Sequence, residues 1–455
     1  MRLFFINFVL LQEKLFSVKK VLLITYYFPP SGGAGVQRWL KTIKYLPEFG
    51  VEPIVLTVDP NVASYPQVDT ALCNEVPDFV KVYRTTTKEI LSLYKRVSPQ
   101  KQVPYGGFAN EPNPTLLQKI SRFIRGNFFL PDPRKGWNKY ALAKAKEIIE
   151  QEEIETIITT SPPHSTQLIG LELKRLYPHI KWVADLRDPW TDIYYNEDLY
   201  PTRLAKKRNL RYECSVLQNA DQVITVSEEC RRLFAGKSAN AGTSTGSVTA
   251  FADKISVIPN GFDLADFIEF GDEQVSERRV EKGDVLVTDR EQRRNVFTLT
   301  YVGVMAPQYD LQPLKSLVQN RKDIMLRFVG VVSDDTMKEI ESWGVCTEFV
   351  PYVSHAEAIA YMRSADALIL FIPNVPNNEG ILTGKLFEYL ASERNILLFG
   401  PENGDAMKLI SECEAGCCYT KDFNLDEFLT MPYLGNGNFK NYSRKTLAKE
   451  IASLL

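Results

Sequence analysis

Seven cysteines in 455 residues form no CxxC pair, and only three histidines are present, His164, His179 and His355. The cysteines (Cys73, Cys214, Cys230, Cys346, Cys413, Cys417, Cys418) are scattered and odd in number, which argues against a disulfide framework and a zinc ribbon and fits a reducing cytoplasm. Cys417 and Cys418, adjacent in an apolar context, read as packing side chains. Charge of one sign is equally scarce: 54 Lys+Arg face 56 Asp+Glu, net −2, with no block of like charge, so nucleic acid is not expected as a partner. No apolar run reaches the roughly 20 residues of a membrane span. Residues 1–19 hold a run from Leu3 to Leu11 broken by Asn7, then Glu13, Lys14 and two lysines, with no small-x-small cleavage site after it. That extension reads as a packing helix, as added upstream sequence, or as an amphipathic segment on a membrane surface. The chain as a whole reads as cytoplasmic, either soluble or peripheral at the inner face of the cytoplasmic membrane.

What is present is a rhythm of short Val- and Ile-rich runs alternating with helical spacing: VLLIT (21–25), PIVLTV (53–58), TIITT (156–160), WVADL (182–186), QVITVS (222–227) and KISVIPN (254–260). Such runs are the mark of parallel strands buried on both faces, and predict a doubly wound α/β domain over 20–270. Within it, the small polar stretch 238–250 looks like a surface insertion. The charge-rich stretch 271–295 is the expected linker. The rhythm then restarts with FTLTYVG (297–303), IMLRFVG (324–330), CTEFVPYV (346–353), ALILFI (367–372) and NILLFG (395–400), a second α/β domain over 296–435. Residues 436–455 end in a helical pattern that is expected to run back to the first domain. Two such Rossmann-like domains facing each other would leave a cleft at the carboxyl ends of their strands.

Four stretches carry chemistry. YYFPPSGGAGVQRWL (26–40) follows the first strand with Gly32, Gly33 and Gly35, letting backbone N–H groups approach an anion at a helix N-terminus. It is no Walker loop, lacking Gly-Lys-Ser/Thr, and no dinucleotide fingerprint, because Arg38 stands where the third glycine belongs. A purely geometric turn is the competing reading. TTSPPHSTQLIG (159–170) places His164 at a strand end, suited to substrate hydrogen bonding or proton transfer, or to capping the next helix. ADLRDPWTD (184–192) gathers Asp185, Arg187, Asp188 and Trp190 at a strand end, its charged groups either an internal ion pair or carboxylates that orient an acceptor hydroxyl. NEGILTGKLFEYLAS (378–392) sets Gly380 and Gly384 before a helix bearing Lys385 and Glu388 three apart, either a phosphate- and ribose-binding face or a surface ion pair. The acidic pair Asp334 and Asp335 lies early in a predicted helix and makes a poor metal site, so no metal ligand set is expected.

Together these blocks, with VIPNGFDLADF (257–267), resemble the GT-B glycosyltransferases, and within them the large retaining family four in its branch of bacterial sugar transferases for surface polysaccharides. The resemblance runs from about residue 20 to about residue 420. It implies that Gly33 and Gly35 approach the donor diphosphate, that His164 lies near the donor sugar, and that Glu388 is the second glutamate of the ribose-binding motif. Eight residues before Glu388, where the first glutamate belongs, stands Gly380, with Glu379 beside it. The Arg and Lys that the family places after the first strand of its second domain are missing from YVGVMAPQYDLQPLKSL (301–317), leaving Gly303 there and making Lys385, with Arg38, the candidate cations.

The implied activity is metal-independent, retaining transfer of a hexosyl group from a nucleotide diphospho-sugar, a substrate and not a cofactor, to a hydroxyl of a lipid-linked or polysaccharide acceptor. Segment 104–137, with interleaved aromatic and basic residues, is the expected acceptor side and a candidate membrane contact. A catalytically inert binding protein of the same fold and a nucleotide-sugar epimerase stay open as alternatives. A nicotinamide-dependent oxidoreductase is disfavoured by the failed third glycine.

Overall fold

A computed structural model describes residues 18–88, 114–237, 251–268, 296–306 and 308–455. The amphipathic N-terminal run up to residue 17, the insertion 238–250, the linker 271–295 and the start of the acceptor-side segment, 104–113, lie outside the described residues. The chain divides into two compact units, Met1–Pro259 with Arg444–Leu455, and Asn260–Ser443.

The first unit is a seven-stranded sheet in the order β3-β2-β1-β4-β5-β6-β7, from Lys19–Ile24 (β1), Val51–Val58 (β2), Lys81–Thr85 (β3), Thr156–Ser161 (β4), Lys181–Leu186 (β5), Gln222–Thr225 (β6) and Ile255–Val257 (β7). Every pairing is parallel. Alternation along β1 shows why its buried run Val21–Ile24 is continuously apolar: Val21 and Leu23 pack on one face with Trp39 and Ile43, while Leu22 and Ile24 pack on the other with Trp137, Ala141 and Ile169. Helix Ala34–Tyr45 covers the first face, and helices Asn138–Glu152 and Ser165–Leu176 cover the second. The tail helix Arg444–Ser453 joins the first face through Leu447, Ala448 and Ile451. Gly170 lets its helix lie directly on the sheet, since a Cβ there would come within 2.3 Å of Trp182 Nε1.

The second unit repeats the plan with six parallel strands in the order β10-β9-β8-β11-β12-β13: Phe297–Val302 (β8), Ile324–Val329 (β9), Cys346–Val350 (β10), Ala367–Phe371 (β11), Asn395–Phe399 (β12) and Gly416–Cys418 (β13). Along β11, Leu368 and Leu370 enter one core layer and Ala367, Ile369 and Phe371 the other. Residues 260–268, grouped by sequence pattern with the first domain, belong here. Phe262 is buried against Phe439 at 5.9 Å between ring centres, and its N–H donates to Tyr442 O at 3.1 Å. The unit also runs on past residue 435 to Ser443.

Candidate active site

In an open doubly wound sheet, the loops that leave neighbouring strands in opposite directions open a crevice at the carboxyl edge, and ligands bind there. In the first unit that point lies between β1 and β4, in the second between β8 and β11. The glycine loop follows β1 and the His164 loop follows β4; Gly303 follows β8 and the Gly380–Lys385 stretch follows β11.

The loop after β1 is shaped for close backbone approach at one position. Gly33, with φ 88 and ψ 171, holds a conformation that a side chain disfavours, and the helix it opens has no acidic residue in its first turn. Gly35 is not forced by space, because an added Cβ would meet Arg187 Nη2 only at 3.8 Å. Arg38, expected to face the donor, does not do so. It is 1% exposed, pairs through Nη2 with Asp185 Oδ1 at 3.2 Å and donates from Nη1 to Pro259 O at 2.7 Å. Asp185 is likewise no acceptor-orienting carboxylate: it is fully buried and accepts from Trp39 Nε1 and Thr160 Oγ1, each at 2.7 Å. Arg187 is buried as well, donating to Ser161 O and Gly35 O at 2.9 Å each, which ties the ends of β4 and β5 to the glycine loop. Burial pushes its guanidinium pKa down, with Asp185 and Asp188 opposing.

His164 and Asp188 remain at the surface of this crevice. Both line a cavity of about 610 Å³, together with Gly33, Gly35, Arg125 and Tyr195. The His164 ring stacks on Trp190, 4.8 Å away and 7° from parallel, and makes no capping bond to its helix. Burial, then the charge of Arg187, holds its pKa at about 3, so the imidazole is neutral near pH 7. Its buried Nδ1 has no hydrogen-bond partner. Burial raises the Asp188 carboxyl above its usual range against the pull of Arg187. Trp190 is one of the residues expected at this strand end, but its stacking on His164 joins two blocks that the sequence leaves separate.

In the second unit Lys385 and Gly303 lie side by side. Helix Gly384–Ala391 begins with Lys385 in its first turn and no acidic residue there. Lys385 Nζ donates to Tyr301 Oη at 2.7 Å and lies 4.2 Å from that ring's centre. Gly303 borders it: a Cβ at this residue, with φ +132, would come within 2.8 Å of Lys385 Nζ. Gly330 is pressed on Gly303 in turn, since its own Cβ would sit 2.4 Å from Gly303 O. Withdrawal from water pushes the Lys385 ammonium down to about 7, with Glu388 one turn on opposing. Thr383, the N-cap residue, makes no capping bond, and its buried hydroxyl has no partner. The Lys385 ammonium and the unpartnered Thr383 hydroxyl stand two residues apart at a helix N-terminus, a combination chemically suited to an anion.

Glu388 lies 3.9 Å from His355 Nε2, which also approaches Asp266 Oδ2 at 3.3 Å. Gly380 is buried in the turn Asn378–Gly380 and Glu379 is exposed beside it. Tyr301, Thr383 and His355 escaped sequence reasoning. For Tyr301 the signal was there, two residues before Gly303 and so on the same strand face. Asp334 and Asp335 occupy the first turn of helix Asp334–Glu341, and among the described residues no three His, Cys, Asp or Glu side chains gather as a metal site.

No protein-family model and no curated protein matches this sequence. Solved structures do match over nearly its whole length. The Anabaena protein HepE in complex with UDP and glucose is 17% identical, with 96% of this chain and 95% of that one covered and a TM-score of 0.52. Sucrose-phosphate synthase from Thermosynechococcus elongatus is 14% identical over 96% and 98%, TM-score 0.56. The α,α-trehalose 6-phosphate synthase of Burkholderia multivorans is 10% identical over 96% and 97%, TM-score 0.57. The fold of this chain, two doubly wound α/β units of seven and six parallel strands, is the GT-B fold of glycosyltransferases.

Proposed function

We propose that the protein is a glycosyltransferase that moves a hexosyl group from a nucleotide diphospho-sugar to a hydroxyl of a lipid-linked or polysaccharide acceptor, in cytoplasmic steps of cell-surface polysaccharide synthesis. The observation that carries this reading is the Lys385 ammonium, 2.7 Å from Tyr301 Oη, in a first helical turn that has no acidic residue. It suits a diphosphate leaving group, whose developing charge the ammonium, the Thr383 hydroxyl and the helix N–H groups would stabilise. Glu388, on the same face, would accept from the ribose hydroxyls. The switch-point crevice of the first unit would take a sugar and the acceptor hydroxyl. There the neutral His164 would donate or accept a hydrogen bond, and Gly33 would bring backbone N–H groups to the sugar. Retention of configuration and independence of metal belong to the same proposal and rest on the resemblance to retaining family four.

The HepE structure holds UDP and glucose, so UDP-sugars head the panel of donors to test. The protein should be stabilised thermally by at least one nucleotide sugar and should hydrolyse it slowly without acceptor. Glu388→Ala should weaken both effects, and EDTA should leave them unchanged. No stabilisation by any donor, with Glu388→Ala silent, would sink the proposal. A second reading, a catalytically inert binding protein, draws on the buried Gly380 that replaces a glutamate and leaves only the exposed Glu379. Binding without turnover on any acceptor would select it.

A further inference from the structure

Helix Leu116–Phe128 is built inside out. Arg122 and Gly126 are buried on its inner side, pressed on the turn Tyr194–Leu199 so closely that a Cβ at Gly126 would sit 2.4 Å from Leu199 O. Arg125 and Gly126 also line the cavity of the first unit. Its outer side is apolar: Leu116, Leu117, Ile120, Phe123, Ile124 and Phe128 are 41–79% exposed. Twenty large apolar side chains are exposed among the described residues, so six on one 13-residue helix is a concentration and not scatter. Tyr200 and Leu204 continue the patch, because Asn127 bonds both Tyr200 O (3.1 Å) and the Thr202 N–H (2.7 Å).

The charge around the patch has one dominant sign. The helix carries exposed Lys119 and no Asp or Glu, and exposed Arg203, Lys206, Lys207 and Arg208 on the neighbouring helix Arg203–Asn219 outnumber the exposed Glu197 and Asp198 of the turn Tyr194–Leu199. Lys206, on the same neighbouring helix, is paired with Glu197 at 2.6 Å.

We infer that this face seats the protein on an anionic lipid bilayer, the apolar side chains entering the headgroup boundary and the basic rim meeting phosphate. A water-facing helix with polar residues inside and an apolar stripe outside would be unfavourable unless that stripe is covered, and basic residues beside it select an anionic lipid surface over a neutral one. Because the inner side of the same helix lines the cavity, the seat places a lipid-anchored hydroxyl beside His164 and Asp188. The seating does not depend on the transferase reading, since it involves no donor.

The test is co-sedimentation of the full chain with phosphatidylcholine vesicles, with and without phosphatidylglycerol. The wild type should bind the phosphatidylglycerol vesicles, less so at high salt, and hardly at all the neutral ones. Ile120→Glu combined with Phe123→Glu should weaken binding at least roughly tenfold, the scale of withdrawing two apolar side chains from the interface. Both positions are exposed, so the melting temperature and nucleotide-sugar stabilisation should stay unchanged. Lys119→Glu with Lys207→Glu should weaken binding and flatten its salt dependence. Absence of vesicle binding, binding retained by the Ile120/Phe123 variant, or a dimer that this variant dissolves without any vesicle binding would each overturn the inference.

Discussion

The two units share a topology and put glycine turns at the same place in it, yet they spend their charges differently. In the first, Arg38, Asp185 and Arg187 are withdrawn into the protein, and each is tied to a partner on another strand or loop. In the second, Lys385 rests on an aromatic ring at the edge of its crevice, with its pKa lowered to about 7. A cation beside a glycine loop is therefore not by itself a ligand site. What separates scaffold from chemistry is whether the charge is already neutralised by a buried partner, as Arg38 is by Asp185 at 3.2 Å.

That contrast can be broken by substitution. Asp185→Ala leaves Arg38 buried without its partner and should cost about 3–5 kcal/mol of stability, read by urea unfolding. A cost under about 1 kcal/mol would mean that the pair is not structural. Lys385→Ala should leave the unfolding midpoint nearly unchanged and lower kcat/KM for transfer roughly 10²–10³-fold, as expected when one preorganised donor to the leaving group is lost. The pH profile sharpens the difference. The Lys385 ammonium is present below its lowered pKa and lost above it, so kcat/KM should fall about tenfold per unit above about pH 7, and Lys385→Arg should remove that limb. His164, held at about 3, should contribute no limb between pH 5 and 8. The smallest effect is Thr383→Val, worth about 1 kcal/mol in donor affinity, since it deletes a single hydroxyl that the folded protein leaves unpartnered.

The architecture was legible because buried parallel strands leave continuous apolar runs in the sequence. The two that left none, β3 and β13, are edge strands: Lys81–Thr85 is half-exposed and Gly416–Cys418 has three residues. The unit boundary at Pro259 was also hidden, because Phe262 finds its neighbours in Phe439 and Tyr442, nearly 180 residues away along the chain. Within the sites, residues adjacent in sequence were found easily, as Gly384, Lys385 and Glu388 show. The partners that decide a role come from elsewhere in the chain. Arg38 is assigned by Asp185 and Pro259, and Lys385 by Tyr301, 84 residues earlier. The inverted helix Leu116–Phe128 shows the same limit, for an apolar stripe in a sequence does not say which way it faces.

The most direct test of the account is calorimetric titration of a nucleoside diphosphate into the wild type and into Lys385→Ala at pH 6.5. The account predicts one-to-one binding that the substitution weakens at least roughly tenfold with the fold intact, the loss of one charge-assisted contact to phosphate. Equal binding by both proteins, or none by the wild type, would contradict it.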